Sequence, residues 1–515
     1  MNVYTYNQLY FQYKKLYSNY LKKLILILNT VHKKNYNQDY WEPIIGIYLR
    51  RFILNYIFLK KVSKKKSLYK KINLKNINFF RSYREYSNAN DDLALNKINF
   101  HKIETHKNFG IYRFKRLNLL TKIINSLKSI TPNILLTIKI SKILFYESYF
   151  KKTLKKIFSF KSAFYFYPLP FFNLENYSIE KKEILQNRLD LIKKNELKFK
   201  KDMLLKNIFL LMPVNYIENY KVIYDEIEKL KLSEGIYIDG NEVSFDFIKF
   251  YIAKLKLNKK KVLTGQHSFR TGIDDYDVFF DYSKSISNYF LTWGWTDKSD
   301  IIKKFSSLRV FSSLDKYEKV KKIDDRILKI CFILCSYSKL GECLYDNLIE
   351  NQKAERTRIA FLKDIKKQKK IKIFLKPRSG SFLLNKQRLF YNKFNILKDK
   401  TRMYDVFGKF SIVIFERLSL GIVENILLNQ PTIFYYPKIL YQLKNRHYKD
   451  LVYLLKKANI FFDDKKKIQK IINSKKTISK WWLDKKNIKN RNLIIKKYAN
   501  SFNYDDFKVL KNYLN

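Results

Sequence analysis

A chain of 515 residues is too long for one hydrophobic core and long enough for two α/β domains with a helical extension. Apolar residues at 46% and aromatics at 17% exclude a disordered chain, and an odd count of three cysteines excludes a disulfide framework. The net charge of +58 suits nucleic acid or an anionic surface, but the lysines are scattered and accompany an excess of Asn, Ile, Tyr and Phe, as A/T-rich codons would produce, so charge alone names no partner.

From Tyr10 to about Lys66 the apolar residues recur with helical spacing, with Trp41, Ile44, Ile45, Tyr48, Leu49, Phe52 and Ile53 on one stripe. The first thirty residues are interrupted by Lys14, Lys15, Lys22 and Lys23 and lack a signal-peptide core, so a cytoplasmic protein is expected. The longest apolar runs, such as Phe52 to Leu59, fall short of the roughly 18 to 20 residues that span a bilayer, so any membrane contact is expected to be peripheral, at the inner face. Between Ser63 and Asp92 no period is sustained, which predicts a loop or a solvated insertion.

Beyond about Ile134 short apolar runs alternate with amphipathic stretches. Buried strands are predicted at Gly235 to Ile238, Lys261 to Leu263, Tyr289 to Thr292, Leu328 to Leu334, Ile371 to Leu375, Ser411 to Phe415 and Pro431 to Tyr435, with helices such as Ser244 to Leu257 and Ile422 to Leu428 between them. That alternation implies parallel sheets with crossover helices. Phe305 to Asp325 is the expected linker, and helices are expected beyond Asp464. The fold class is therefore α/β, two Rossmann-like domains with a helical N-terminal region and a helical C-terminal tail. The expected boundaries are 1–130, 131–315, 316–465 and 466–515. Cys331 and Cys335 read as small buried hydrophobes, and with no Cys/His cluster at zinc spacing no metal is expected.

Four stretches at predicted strand ends carry chemistry. Thr264 to Gly272 holds Gln266 and His267 between glycines; a His there suits a general base or a donor-phosphate ligand, or is simply a loop His bonded to backbone. Trp293 and Trp295 point to opposite sides if the chain is extended, so that one stacks on a sugar or base while the other packs; the alternative is that both pack. Lys376 and Arg378 flank Pro377 and suit a phosphate or carboxylate, or a surface turn. Ser419 and Gly421 open a helix whose amides suit a phosphate, with Glu424 placed for ribose hydroxyls; a plain helix cap is the alternative.

In chain order, Tyr40-Trp41-Glu42-Pro43-Ile44-Ile45-Gly46, Leu211-Met212-Pro213 with Tyr216-Ile217-Glu218, Gly265-Gln266-His267 with Gly272, Trp293-Gly294-Trp295, Ser419 to Glu424, Asn429 to Ile433 and Trp481-Trp482 together resemble a family of transferases from bacterial surface-polysaccharide gene clusters. That family is distantly similar to capsule Kdo transferases and CDP-glycerol glycerophosphotransferases. The resemblance implies a GT-B-like arrangement, a nucleotide-activated sugar or polyol donor, a saccharide acceptor that is lipid-linked in some systems, no resident cofactor and no specific nucleic acid. It implies His267 as the catalytic residue, with Gln266, Gly272, Trp293, Trp295, Lys376, Arg378, Ser419 and Glu424 around donor and acceptor. Ser268 in place of the Gly after the His, Lys376-Pro377 in place of His-Pro, and Leu420-Gly421 in place of hydroxyl residues are departures from the pattern. They leave a catalytically inactive homologue as one alternative; a basic nucleic-acid-binding or ribosome-associated protein is the other.

Overall fold

The computed structural model describes residues 3–62, 79–90, 143–146, 164–166, 180–199, 202–230, 232–233, 235–238, 245–273, 277–307, 328–334, 348–367, 371–377, 390–398, 406–437 and 446–500, with single positions elsewhere. Two long helices open the chain, α1 (Val3–His32) and α2 (Gln38–Val62), packed on each other across a short turn in which Lys33 takes a φ of 51°. Every residue of the predicted α2 stripe is buried. The segment expected as a loop or insertion contains a helix, α3 (Tyr83–Asn90). Tyr83 and Tyr86 are buried against α2, and the Tyr83 amide donates to the Asp246 carboxylate at 3.2 Å. The two tyrosines supply the apolar face that a polar composition concealed.

The first sheet contains β1 (Ile143–Tyr146), β2 (Phe164–Phe166), β3 (Gly235–Ile238), β4 (Lys261–Gly265), β5 (Tyr289–Thr292) and β6 (Ile302–Lys304). All pairs are parallel, in the order β2-β1-β3-β4-β5-β6. Helices α4 (Lys181–Lys194), α5 (Met203–Leu210), α6 (Tyr220–Glu228), α7 (Asp246–Leu257) and α8 (Val278–Ile286) accompany it. Arg188 of α4 is wholly buried, forked onto Glu218 at 2.7 Å and capping the Leu210 and Met212 carbonyls, which gives Met212 and Glu218 a packing role.

The second sheet is also parallel: β7 (Leu328–Ile333), β8 (Ile371–Lys376), β9 (Asn395–Ile396), β10 (Ile412–Phe415), β11 (Thr432–Tyr435) and β12 (Phe461–Phe462), in the order β12-β11-β10-β7-β8-β9. Counted from its own first strand that order is 3-2-1-4-5-6, the doubly wound order whose ligand crevice opens beyond the carboxyl ends of the first and fourth strands. Those strands are β7 and β10. Residues 412–415 are buried throughout, as a strand covered on both faces requires. Helices α9 (Leu348–Lys366), α10 (Leu420–Leu427) and α11 (Arg446–Lys457) belong to this half, and α12 (Lys465–Ile471), α13 (Lys475–Trp482) and α14 (Lys485–Tyr498) form the helical tail. The α/β class, the two Rossmann-like sheets and the helical ends are as the sequence predicts. Of the expected linker, only Phe305 to Ser307 and Val310 are described.

Two features join these parts. A buried polar cluster fixes α1 and α2 to α8: Glu42 accepts from Arg50 at 2.7 Å and from Tyr17 at 2.7 Å, Arg50 donates to Ser285 at 3.0 Å, and Tyr10 donates to Asp281 at 2.6 Å. Burial pushes the Glu42 carboxyl up, but the Arg50 charge and the Tyr17 and Gln38 hydrogen bonds outweigh it and hold the pKa below the usual range. At the far end, the Asn500 amide donates to the Trp293 carbonyl at 3.0 Å and the Ser307 amide to the Asn500 carbonyl at 3.0 Å. The end of α14 is thereby stitched to the first half, while α14 itself packs on α10 and α11.

Candidate functional site

At the carboxyl end of β4 the chain turns sharply, and Gly265 is required there because a Cβ would stand 2.3 Å from the Tyr237 hydroxyl. Gln266 is completely buried, and its side chain is spent on the protein: Oε1 accepts from the Trp293 amide at 2.9 Å and from the Trp295 indole at 2.9 Å, while Nε2 donates to the Ser268 carbonyl at 3.0 Å. It holds the loop rather than presenting an amide to a ligand. Phe269 and Ile273 are buried and pin the loop to the apolar cluster below. His267 lies between these anchors, half-buried, at the strand end where the sequence puts it. Gly272 has a φ of 74°, and a Cβ there would meet the Trp295 ring at 2.6 Å.

The tryptophans do not straddle an extended chain. Gly294 takes a φ of 122°, breaking the alternation, and both rings are buried in the same cluster. Neither presents a face to solvent, so the packing alternative is the one the structure shows, and Gly272 and Trp295 belong to one packed unit.

In the second half, Lys376 closes β8, is buried, and donates from Nζ to the Pro377 carbonyl at 3.3 Å. Its charge works against the burial that raises the Cys331 thiol to about 12. Arg378 lies outside the described residues. Ser419 stands at the N-cap position of α10 with extended backbone, φ −147°, and its side chain makes no capping hydrogen bond. The cap alternative therefore accounts for its position but not for its hydroxyl. Glu424, one turn into α10, is buried.

The sequence reading passed over one constellation. Glu416, directly after β10, is buried and takes a forked bond from Arg358 of α9, Nε at 2.6 Å and Nη2 at 2.5 Å. Arg358 Nη1 donates to Glu355 and, at 3.1 Å, to the Tyr391 hydroxyl, which in turn donates to Glu355. Burial pushes the Tyr391 hydroxyl well above its ordinary value. This network lies beside the switch point, under the loop that leads to Ser419. Its sequence signal was an acid at the end of an apolar strand, masked by the adjacent Arg417.

His267, Lys376, Ser419 and Glu424 thus stand at or just beyond the carboxyl ends of their own sheets. The loops around His267 and Ser419 share one apolar cluster, which contains Phe269, Trp293, Leu418 and Ile422 together with Ile494 and Tyr498 of α14. Among the described residues no group of acidic, His or Cys side chains has the makings of a metal site.

A family model described as LIC12162 family transferase matches residues 3–514. Among curated proteins none matches the sequence. Solved structures that resemble the chain include MnaA from S. aureus with UDP, at 9% identity and a TM-score of 0.38 over 72% of this chain and 95% of that one. Another is MurG from Acinetobacter baumannii, at 10% identity and a TM-score of 0.30 over 76% and 94%. Likenesses of that degree say nothing of this chain's chemistry.

Proposed function

The chain belongs to the LIC12162 family of transferases, and from that premise we propose that it moves a glycosyl or related group from a nucleotide-activated sugar or polyol donor to a saccharide acceptor in bacterial surface-polysaccharide synthesis. The observation that carries this reading is Ser419. Its hydroxyl is not used for capping, and it opens a helix beside the switch point of a doubly wound sheet, where amides and helix dipole favour a phosphate. Lys376 at the end of β8, on the far side of β7 from β10, with Arg378 two residues on, adds positive charge for the leaving nucleotide phosphate. Glu424 is the proposed partner of the ribose. His267, on the opposing loop, takes the proton of the attacking acceptor hydroxyl or binds the donor phosphate.

In the transfer the acceptor oxygen forms its bond to the donor carbon or phosphorus as the bond to the nucleotide phosphate breaks, and that phosphate leaves carrying the electron pair. The reading calls for no resident cofactor, and the acceptor end is the less defined of the two. Gln266, Gly272, Trp293 and Trp295 act through the loop they fix, not as ligands.

Calorimetric titration of UDP, CDP and CMP into the purified chain tests the reading. At least one of them is expected to bind, with a loss of about tenfold or more in Ser419→Ala or Lys376→Ala, as one charge-assisted hydrogen bond is worth. His267→Ala is expected to leave that affinity nearly intact if the imidazole serves as base, and to lower it if the imidazole holds the phosphate. A folded protein that binds none of the three nucleotides would sink the proposal.

A further inference from the structure

Helix α1 carries no acidic residue, and two large apolar side chains interrupt its otherwise polar exposed face. Phe11 is 73% exposed and Leu26 63% exposed, and with the exposed Lys15 and Lys22 they fall within about 60° of arc over roughly 22 Å of helix. Two more exposed apolar side chains stand on the neighbouring segment, Leu197 at 83% and Met203 at 42%. These two are brought beside the end of α1 by the Lys198 bond to Thr30 and by Asp202, which takes Lys23 at 2.8 Å and Tyr20 at 3.1 Å. Of the acids on that segment, Asp202 is thereby paired, while Glu196 beside Leu197 is exposed.

We propose that this ridge is a docking surface for an anionic lipid bilayer, with α1 lying in the headgroup plane. Interface cores between proteins are depleted in Lys and gather their apolar groups into one patch. Here two large apolar side chains flank two lysines along a line. That pattern suits insertion of each apolar group between headgroups, while each ammonium meets a lipid phosphate. No described helix is long and apolar enough to cross a membrane, so the contact is superficial. The functional reading supplies a reason for the docking, since a lipid-linked acceptor would then be met at its own surface, but the binding is tested without any substrate.

Flotation of the full chain with phosphatidylcholine vesicles, with and without phosphatidylglycerol, is the experiment. Binding is expected only with the anionic lipid. The combined Phe11→Ser, Leu26→Ser and Leu197→Ser variant should lose about tenfold or more in partitioning, as the removal of three inserting side chains requires. Lys15→Glu with Lys22→Glu should lose a similar amount. All five positions are exposed, so melting temperatures should stay at the parent value, and Tyr453→Ser with Leu493→Ser, which alters apolar exposure elsewhere, should bind as the parent does. The proposal falls if the parent chain does not float, if it floats equally with neutral vesicles, if the serine variant still binds, or if that variant dissociates a dimer of the parent. Failure of nucleotide binding would leave these outcomes untouched.

Discussion

In the first half the loop beyond β4 is held by a neutral group, the Gln266 amide, which answers two N–H donors and one carbonyl. In the second half the loop beyond β10 is held by ions, the Glu416 carboxylate forked onto Arg358, with Glu355 and Tyr391 completing the set. Both latches are buried and both sit at the carboxyl edge of a parallel sheet. They differ in what they lose when one member goes. A neutral latch leaves orphaned dipoles; an ionic one leaves a buried charge.

The largest effect is therefore expected in the second half. Arg358→Met leaves Glu416 and Glu355 buried side by side without their cation, and should cost about 3–5 kcal/mol in denaturant unfolding. A loss below about 1 kcal/mol would mean that water already reaches these carboxylates and that the contrast is false. In the first half, Gln266→Leu strips the partner from the Trp293 amide and the Trp295 indole and should cost about 2–4 kcal/mol, at one to two for each buried donor. Parity with the Arg358 variant would erase the distinction between the latches.

The smallest of the three expected effects, about 2 kcal/mol, shows only in a pH series. His32, outside either latch, stacks on Tyr220 with ring centroids 3.9 Å apart and donates from Nε2 to the Tyr216 carbonyl at 3.0 Å; burial, with a small contribution from Lys34, lowers its pKa from 6.5 to about 4. The folded state thus keeps this ring neutral where the unfolded chain would protonate it. Its stabilisation is complete above pH 6.5 and drains away as the pH falls toward 4, by about 2 kcal/mol once partial exposure is allowed for. His32→Phe should flatten the stability curve between pH 6.5 and 4.5, above the range where Glu42 begins to protonate. An unchanged slope in that variant would assign the titration to another group.

The contrast between the latches also marks what a sequence can disclose. The strands of the second sheet were legible because runs such as Ile412–Phe415 carry an apolar β-branched or aromatic side chain at every position. β6, β9 and β12 were not, since two or three residues, two of them lysines in β6, carry no period. The His267 and Ser419 loops were legible from glycines and hydroxyls at strand ends. Glu416 was not, because its partner Arg358 lies 58 residues upstream of it, and only the tertiary fold reveals that a charged side chain is buried. For the tryptophans a single torsion decides for the packing alternative. Alternation holds only in extended chain, and Gly294 leaves it.

That same glycine has a mechanical meaning. A Cβ at position 294 would stand 2.9 Å from the Lys497 carbonyl, so the bare backbone is what lets the end of α14 lie flat on the turn and exchange amide bonds at Trp293 and Ser307. The polypeptide thus passes between the two halves twice, once outward after β6 and once back through α14. The bonds that return the chain to the first half are main-chain bonds, made across a glycine that keeps the two backbones within touching distance, so any side chain at position 294 is expected to unseat the end of α14.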